Sequence, residues 1–385
     1  VKLMTQRWGE TAWGFCDNEP EWAFLKDHLL PDNKLQGKPD IWTQITIPNE
    51  FQPVGKYNIG VTAGIETTVC AGDWIEGMNR MDMNLVSSQH SKKVFEITQF
   101  EKKDKEKTVG HIKLEKPVEV LFEGLNLDTY KKLPPKEVSL DLSQIKESFC
   151  YLFVGHWMNG SYGHDRKNVG LLVKSFLETF KNQKNKPALI LKASIGSSSY
   201  TSREALLKRI DALKKTVNSS NLPNIYIMNG DLSDQEINEL YNHPKVKAMV
   251  SLTKGEGFGR PLLEFSSIGK PIIASGWSGQ VDFLHKEKTF LLGGELEQVH
   301  ESAANKWILK ESKWFKPDLN IIGSVLKDMF KNYKNYVVKG KQQGHYSRTN
   351  FSFDKMTELL GTYLEKYVNV PAEVELQLPI LEKID

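Results

Sequence analysis

The chain has 385 residues, 39% of them apolar and 26% charged, with a formal net charge of +3. That length fits two ordinary domains, the apolar share excludes a mainly disordered chain, and the near-balanced charge excludes a strongly basic nucleic-acid binder. The three cysteines, Cys16, Cys70 and Cys150, form no CxxC pair, which argues against zinc or a dithiol motif and for a reduced, cytoplasmic protein. No apolar run reaches the roughly 18 to 20 residues that span a bilayer, and no charged-then-apolar leader opens the sequence. No transmembrane segment is therefore expected.

In chain order, residues 1–135 read as a first α/β unit, with strand candidates at 41–47, 58–62, 83–87 and 118–122. The stretch 57–68, YNIGVTAGIETT, ends one strand in a glycine turn and puts Glu66 and Thr67 either near a cleft or at a helix cap. The mixed charges of 101–107, EKKDKEK, predict a solvated loop. Paired prolines in 131–137, KKLPPKE, stiffen a connection, and the linker is placed at 136–148.

From 149 to 350 short apolar runs alternate with helically spaced segments. The strands fall at 149–155, 188–193, 224–230, 246–252, 271–275 and 290–292, and the helices at 168–181, 202–217, 233–241 and 261–268. Such alternation implies right-handed βαβ units and a doubly wound parallel sheet. Beyond it, residues 351–385 hold a helical stripe over 354–368, with Met356, Leu359, Leu360, Tyr363, Leu364 and Tyr367 on one face, and an extended tail from 369.

Chemistry concentrates in 246–284, VKAMVSLTKGEGFGRPLLEFSSIGKPIIASGWSGQVDFL. It reads as a buried strand, a glycine-rich turn, a helix opened by Pro261, a stop at Gly269 and Pro271, and a second strand. Gly255, Gly257 and Gly259 allow close approach of a ligand, and the helix start at Pro261 to Leu263 favours an anion such as phosphate. Glu256 and Glu264 would repel a phosphate unless each had another partner, and sugar hydroxyls are the natural ones. A nucleotide-sugar supplies both chemistries. Neither a Walker loop nor a dinucleotide fingerprint is present.

The run KGEGFGRPLLEFSSIGKPIIASGWSGQVDFL resembles the donor-site signature of retaining family 4 glycosyltransferases (glycosyl transferases group 1) of the GT-B fold, including its two glutamates. Residues 153–155 with Arg166, Lys167 and the following helix resemble that family's first donor-domain strand and helix. The resemblance implies two Rossmann-like domains with doubly wound parallel sheets and a C-terminal helix crossing back to the N-terminal domain. It assigns Glu256 to the donor sugar, Glu264 to the ribose, Gly257, Phe258, Gly259, Arg260, Pro261 and Leu262 to the sugar and diphosphate, and Arg166 and Lys167 to the diphosphate. Lys192 and Asn229 end strands on the carboxyl edge where such sheets bind ligands, and are expected near the donor. Glu66 and Thr67 would face the acceptor.

By the same resemblance the reaction transfers a sugar from a UDP- or GDP-sugar with retention, without a metal or other cofactor, to a saccharide or glycan acceptor. The N-terminal half matches less well: 81–88 and 120–130 resemble its late strand and linker approach, while its glycine-rich first loop has only Trp8-Gly9-Glu10 and Trp13-Gly14 as candidates. Similar compact enzymes are phage-encoded and some glycosylate modified bases, which keeps a DNA acceptor open. A same-fold epimerase or a non-catalytic sugar-nucleotide binding module are the rival readings.

Overall fold

A computed structural model describes residues 1–6, 15–18, 20–104, 107–196 and 198–368. The Trp8 and Trp13 loop candidates and the tail from 369 lie outside them. After a short helix α1 (Phe15–Asn18), the first layer is built on β1 (Ile41–Ile45), β2 (Tyr57–Thr62), α2 (Gly72–Asn79), β3 (Met83–Val86), α3 (Gln89–Ile97), β4 (Gln99–Asp104), β5 (Lys107–Lys113) and β6 (Val118–Val120). Strands β1, β2, β3 and β6 form a parallel four-stranded sheet in that order.

Of the expected loop at 101–107, residues 101–104 and 107 lie instead in an antiparallel hairpin, β4 on β5, while 105 and 106 fall outside the described residues. Its root is apolar: Phe100 pairs with Ile112, and Phe100 lies against Gly72 at the start of α2. Charge alone misread it, because two anchoring residues suffice to dock a hairpin whose other positions are mostly polar.

The second sheet follows the sequence reading closely. It contains β7 (Cys150–His156), α4 (Val169–Phe180), β8 (Ala188–Ser194), α5 (Tyr200–Lys215), β9 (Ile225–Met228), α6 (Asp234–Asn242), β10 (Val246–Ser251), α7 (Arg260–Ser267), β11 (Ile272–Ser275) and β12 (Phe290–Leu292). The strand order is β12-β11-β10-β7-β8-β9, all parallel. Renumbered within the sheet this is the 3-2-1-4-5-6 order, whose direction reverses between β7 and β10. Apolar clusters cover both faces, one through Leu172, Phe176 and Leu326, the other through Leu240, Leu263 and Phe265. The hairpin β13 (Gly294–Gln298) with β14 (Lys313–Pro317) and the helices α8 (Leu319–Lys331) and α9 (Tyr333–Asn350) complete this half.

Ser352 caps α10 (Phe353–Tyr367) through the Lys355 N–H. Leu360, Tyr363, Leu364 and Tyr367 pack on Ile59, Met83 and Leu85 of the first sheet, so the C-terminal helix crosses back over the N-terminal layer. The crossing is pinned where Leu125 N–H donates to Phe351 O at 2.8 Å and Phe353 N–H to Leu125 O at 3.1 Å. The proline-rich connection is strapped to α6: the Leu133 N–H donates to Asn242 Oδ1 at 2.8 Å, and the Ser139 and Leu140 N–H groups donate to Glu239 at 2.6 and 2.8 Å.

Candidate active site

Open α/β sheets bind ligands at the carboxyl ends of the strands where the order reverses. Here the loops after β7 and β10 flank that point, and they carry Arg166, Lys167 and Glu256. Asn168, with φ of 56°, ends the first loop at the start of α4. In the second, Gly259 has φ of 101° and lets the chain turn into α7. Arg260 opens that helix and Pro261 is its second residue.

Lys167 Nζ donates to both oxygens of Glu256 at 2.6 and 2.7 Å. Arg166 Nη1 donates to Gly255 O at 2.8 Å and to Glu256 Oε2 at 3.3 Å, while its Nη2 lies 3.2 Å from Glu66 Oε1. Arg166 therefore joins the glycine loop to the turn after β2. Burial opposes all these charges, but Lys167 and Arg166 hold the Glu256 carboxyl below the usual carboxylate range. Glu256 is fixed from behind as well: its N–H donates to Ser278 Oγ at 2.9 Å, and Ser278 is a buried non-glycine residue at φ of 69°. Backbone in that region stores strain that its surroundings must hold.

The glycine loop is pressed against the first layer. A Cβ on Gly255 would lie 1.9 Å from Glu66 O, and one on Gly257 would lie 2.3 Å from Ala63 O. Ser87 Oγ is 2.6 Å from Ala63 O and 3.2 Å from Gly257 O, and Gln89 N–H donates to Asp282 Oδ2 at 2.8 Å. Only glycine fits at this junction.

One turn into α7, Glu264 accepts hydrogen bonds from Arg260 Nε at 2.9 Å and Tyr241 Oη at 3.0 Å. Burial pushes its carboxyl above the usual range against both of those partners. Nearby, Tyr130 Oη donates to Asp234 Oδ1 at 3.0 Å. Arg260, Glu264, Tyr130 and Asp234 border a cavity of about 950 Å³ between the two layers, lined also by Glu66, Glu123 and Arg166 together with Trp22, Trp74 and Trp307.

The expected site residues thus divide. Glu66, Arg166, Arg260 and Glu264 face the cavity, whereas Lys167, Glu256, Gly259, Pro261 and Leu262 border a void of about 10 Å³ behind it. Phe258 is core, with its ring 5.0 Å from Phe283. Thr67 is buried and donates to Val69 O at 3.0 Å, capping no helix. Lys192 and Asn229 do not line the cavity: Lys192 Nζ donates to Gly230 O at 2.6 Å and Asn229 Nδ2 to Ala193 O at 3.1 Å, so they tie the ends of β8 and β9 together.

Sequence reasoning did not single out Glu123, Tyr130, Asp234 or Tyr241. The first two lie in VLFEGLNLDTY at 120–130, read only as an approach to the linker. The others are ordinary-looking residues of α6. His90 packs its ring 4.6 Å from Trp277, and burial lowers its pKa to about 4. None of His90, His111, His156 and His164 lines the cavity.

Among the described residues no group of three or more His, Cys, Asp or Glu side chains could hold a metal ion. No helix among them is long and apolar enough to cross a membrane.

Residues 163–313 match the family Glycosyl transferases group 1. No curated protein matches the sequence. Among solved structures, the fold is similar to that of Anabaena HepE in complex with UDP and glucose, at a TM-score of 0.53 and 14% identity over 80% of this chain and 72% of that one. Sucrose-phosphate synthase from Thermosynechococcus elongatus gives a TM-score of 0.57 at 13% identity, covering 85% and 73%. A glycosyltransferase from Rickettsia africae gives 0.53 at 17%, covering 81% and 71%. The architecture is therefore the two-layer GT-B fold.

Proposed function

We propose that this chain, whose residues 163–313 match the glycosyl transferases group 1 family, transfers a sugar from a nucleoside-diphosphate sugar to an acceptor hydroxyl with retention of anomeric configuration. The observation that carries the reading is the pairing of two carboxylate–cation sets around the glycine loop, each reaching the cavity through its arginine. Glu256 with Arg166 and Lys167 forms one, and Glu264 with Arg260 the other.

In this reading the ribose hydroxyls bond Glu264 and the sugar hydroxyls bond Glu256. The diphosphate lies by the start of α7 and takes Arg166 and Lys167 as counter-charges. As the bond between the anomeric carbon and the diphosphate oxygen breaks, the acceptor oxygen bonds that carbon on the same face, and its proton passes to the leaving diphosphate. The chain's own contribution is electrostatic: Arg166 on the cavity wall, with Lys167 behind it, offsets the charge that develops on the departing oxygen, so no metal ion is needed. Glu66 competes for Arg166 before the donor binds.

A thermal-shift panel of UDP-, GDP-, ADP- and CDP-sugars tests this, with UDP-sugars first because the Anabaena neighbour is in complex with UDP. One nucleotide class should raise Tm in the wild type and lose most of its effect in Glu264→Ala and Arg166→Ala. No shift with any donor sinks the reading. Product that forms without an added acceptor would favour an epimerase instead.

A further inference from the structure

The loop between β7 and α4, which carries Arg166, is fastened to the segment 299–312 that joins β13 to β14. We propose that His164 and His300 are positioning residues: their neutral, stacked rings clasp these two segments together and hold Arg166 in place, and a proton on either ring releases the clasp. Only the task given to Arg166 rests on the glycosyltransferase reading above; the clasp itself stands apart from it.

The two imidazoles lie face to face, with ring centroids 4.0 Å apart and planes 18° from parallel. A relay of hydrogen bonds runs beside the stack. Ser302 N–H donates to His300 Nδ1 at 3.1 Å, the Ser302 hydroxyl lies 2.9 Å from the same nitrogen, and Ser302 Oγ accepts the Ser161 N–H at 2.9 Å. A backbone N–H can only donate, so His300 Nδ1 carries no proton here and the ring is neutral.

Each half of the clasp reaches the site. His164 stands two residues before Arg166 in a tightly wound loop. A Cβ on Gly160 would lie 2.7 Å from Asp165 N, Asp165 Oδ1 accepts the Val169 N–H at 3.2 Å, and Lys254 N–H donates to Arg166 O at 2.8 Å. Across the stack, His300 O accepts the Ala303 and Ala304 N–H groups at 3.0 and 3.2 Å. Asn305, Trp307 and Ile308 then line the cavity, and Trp307 and Leu309 pack on the first-layer core. Lys313 N–H closes the segment on Thr68 Oγ1 at 2.9 Å. The Arg166 loop is thus tied through the two histidines to the cavity wall and to the first layer.

A proton would arrive among cations. Lys254, after β10, and Lys316 of β14 both act on His164, and Glu297 of β13 is already paired with each of them. Glu301, next to His300, lies 3.6 Å from Lys310. Burial, the His300 ring and the two lysines hold the His164 pKa below the ordinary histidine value, against the pull of Glu297. A base whose pKa is lower in the clasped state than in the released one takes up a proton on release. The clasp is therefore fully formed above the ordinary value near 6.5 and weakens as pH falls through it. On His300 the effect is also one of geometry, because an added Nδ1–H would point at the Ser302 N–H and cancel the bond that orients Ser302 Oγ toward Ser161.

Hydrogen exchange on the full chain tests the clasp without any donor, at about one pH unit above and below the ordinary histidine value and corrected for the intrinsic rate. Protection of 158–168 and 299–308 should fall about tenfold in the wild type across that step, while β8 and β10 keep theirs. The double variant His164→Phe with His300→Asn retains a ring face and an acceptor for the Ser302 N–H, but neither position titrates, so the fall should vanish. His90 and His243, whose pKa values burial also lowers, remain in that variant, so what it removes belongs to the pair. Melting above neutral pH checks that it folds, and each single variant should show a smaller fall than the wild type. With the donor that shifts Tm most, the shift should shrink on acidification more in the wild type than in the double variant. Loop protection that does not respond to pH in the wild type overturns the proposal. So does a fall that survives undiminished in the variants, or a donor shift with the same pH dependence in both proteins. Absence of any donor shift at either pH is a different failure: it falls on the glycosyltransferase reading, and the exchange result still decides the clasp.

Discussion

Arg166 is bound on both sides by carboxylates from opposite layers, Glu66 at 3.2 Å and Glu256 at 3.3 Å. Removing it leaves Glu66 and Glu256 facing each other without their shared cation, which costs on the order of 3–5 kcal/mol when both are well buried, and less here because Glu66 is partly open. Arg166→Ala should therefore lower Tm as well as reduce kcat about 10²- to 10³-fold, the usual loss for one transition-state counter-charge. Arg166→Lys should recover most of the stability and little of the rate, since a single ammonium cannot reach both carboxylates and the Gly255 carbonyl. Equal recovery of both would show that only the net charge matters. Glu66→Gln acts in the opposite sense. It frees Arg166 for the diphosphate, so donor Kd measured by calorimetry should fall several-fold, with the gain shrinking as salt rises.

At the scale of elements, the donor half was legible because each signal was local. The strand at β10, the glycines, Pro261 and Gly269 define a strand-loop-helix unit within a short window, and the cores beneath it are continuous apolar runs that read as buried strands. The grouping of Glu256 with Arg166 was legible only through family resemblance, since nothing in the sequence brings residues 90 apart together. Glu123 and Tyr130 escaped notice because their role depends on where the crossing segment returns, a contact spanning more than 200 residues, as in the 3.3 Å approach of Gly124 N–H to Met356 Sδ. Lys192 and Asn229 sit on the predicted edge but turn toward each other's strands, which edge position alone cannot reveal. The glycine loop itself makes a test of closure. A methyl on Gly257 would meet Ala63 O at 2.3 Å, backbone that cannot step aside, so Gly257→Ala should hold the layers apart. Transfer should drop at least tenfold while the second layer keeps its fold. Near wild-type transfer would show that the two layers work farther apart than they stand here.

The whole molecule is closed by α10, and its hold on the first layer turns on one carboxylate. Glu119 of β6 takes hydrogen bonds from Lys92 Nζ at 2.8 Å, Tyr367 Oη at 2.6 Å and Lys366 Nζ at 3.1 Å, so an element of the first layer and the last turn of the crossing helix share a single anchor. Burial alone would raise its pKa, but these three donors outweigh it and bring it down to about 2. A carboxyl whose folded pKa lies below its unfolded one binds more protons when unfolded, so it adds stability above the unfolded value near 4.5 and loses that contribution as pH falls toward about 2. Melting curves from neutral pH downward should show Tm falling through that window in the wild type. Glu119→Gln should melt lower at neutral pH, and the gap between the two proteins should narrow steadily and close near pH 2. A gap that stays constant with pH would mean that Glu119 acts by shape alone, and that α10 is held instead by the apolar contacts of Leu360, Tyr363 and Leu364.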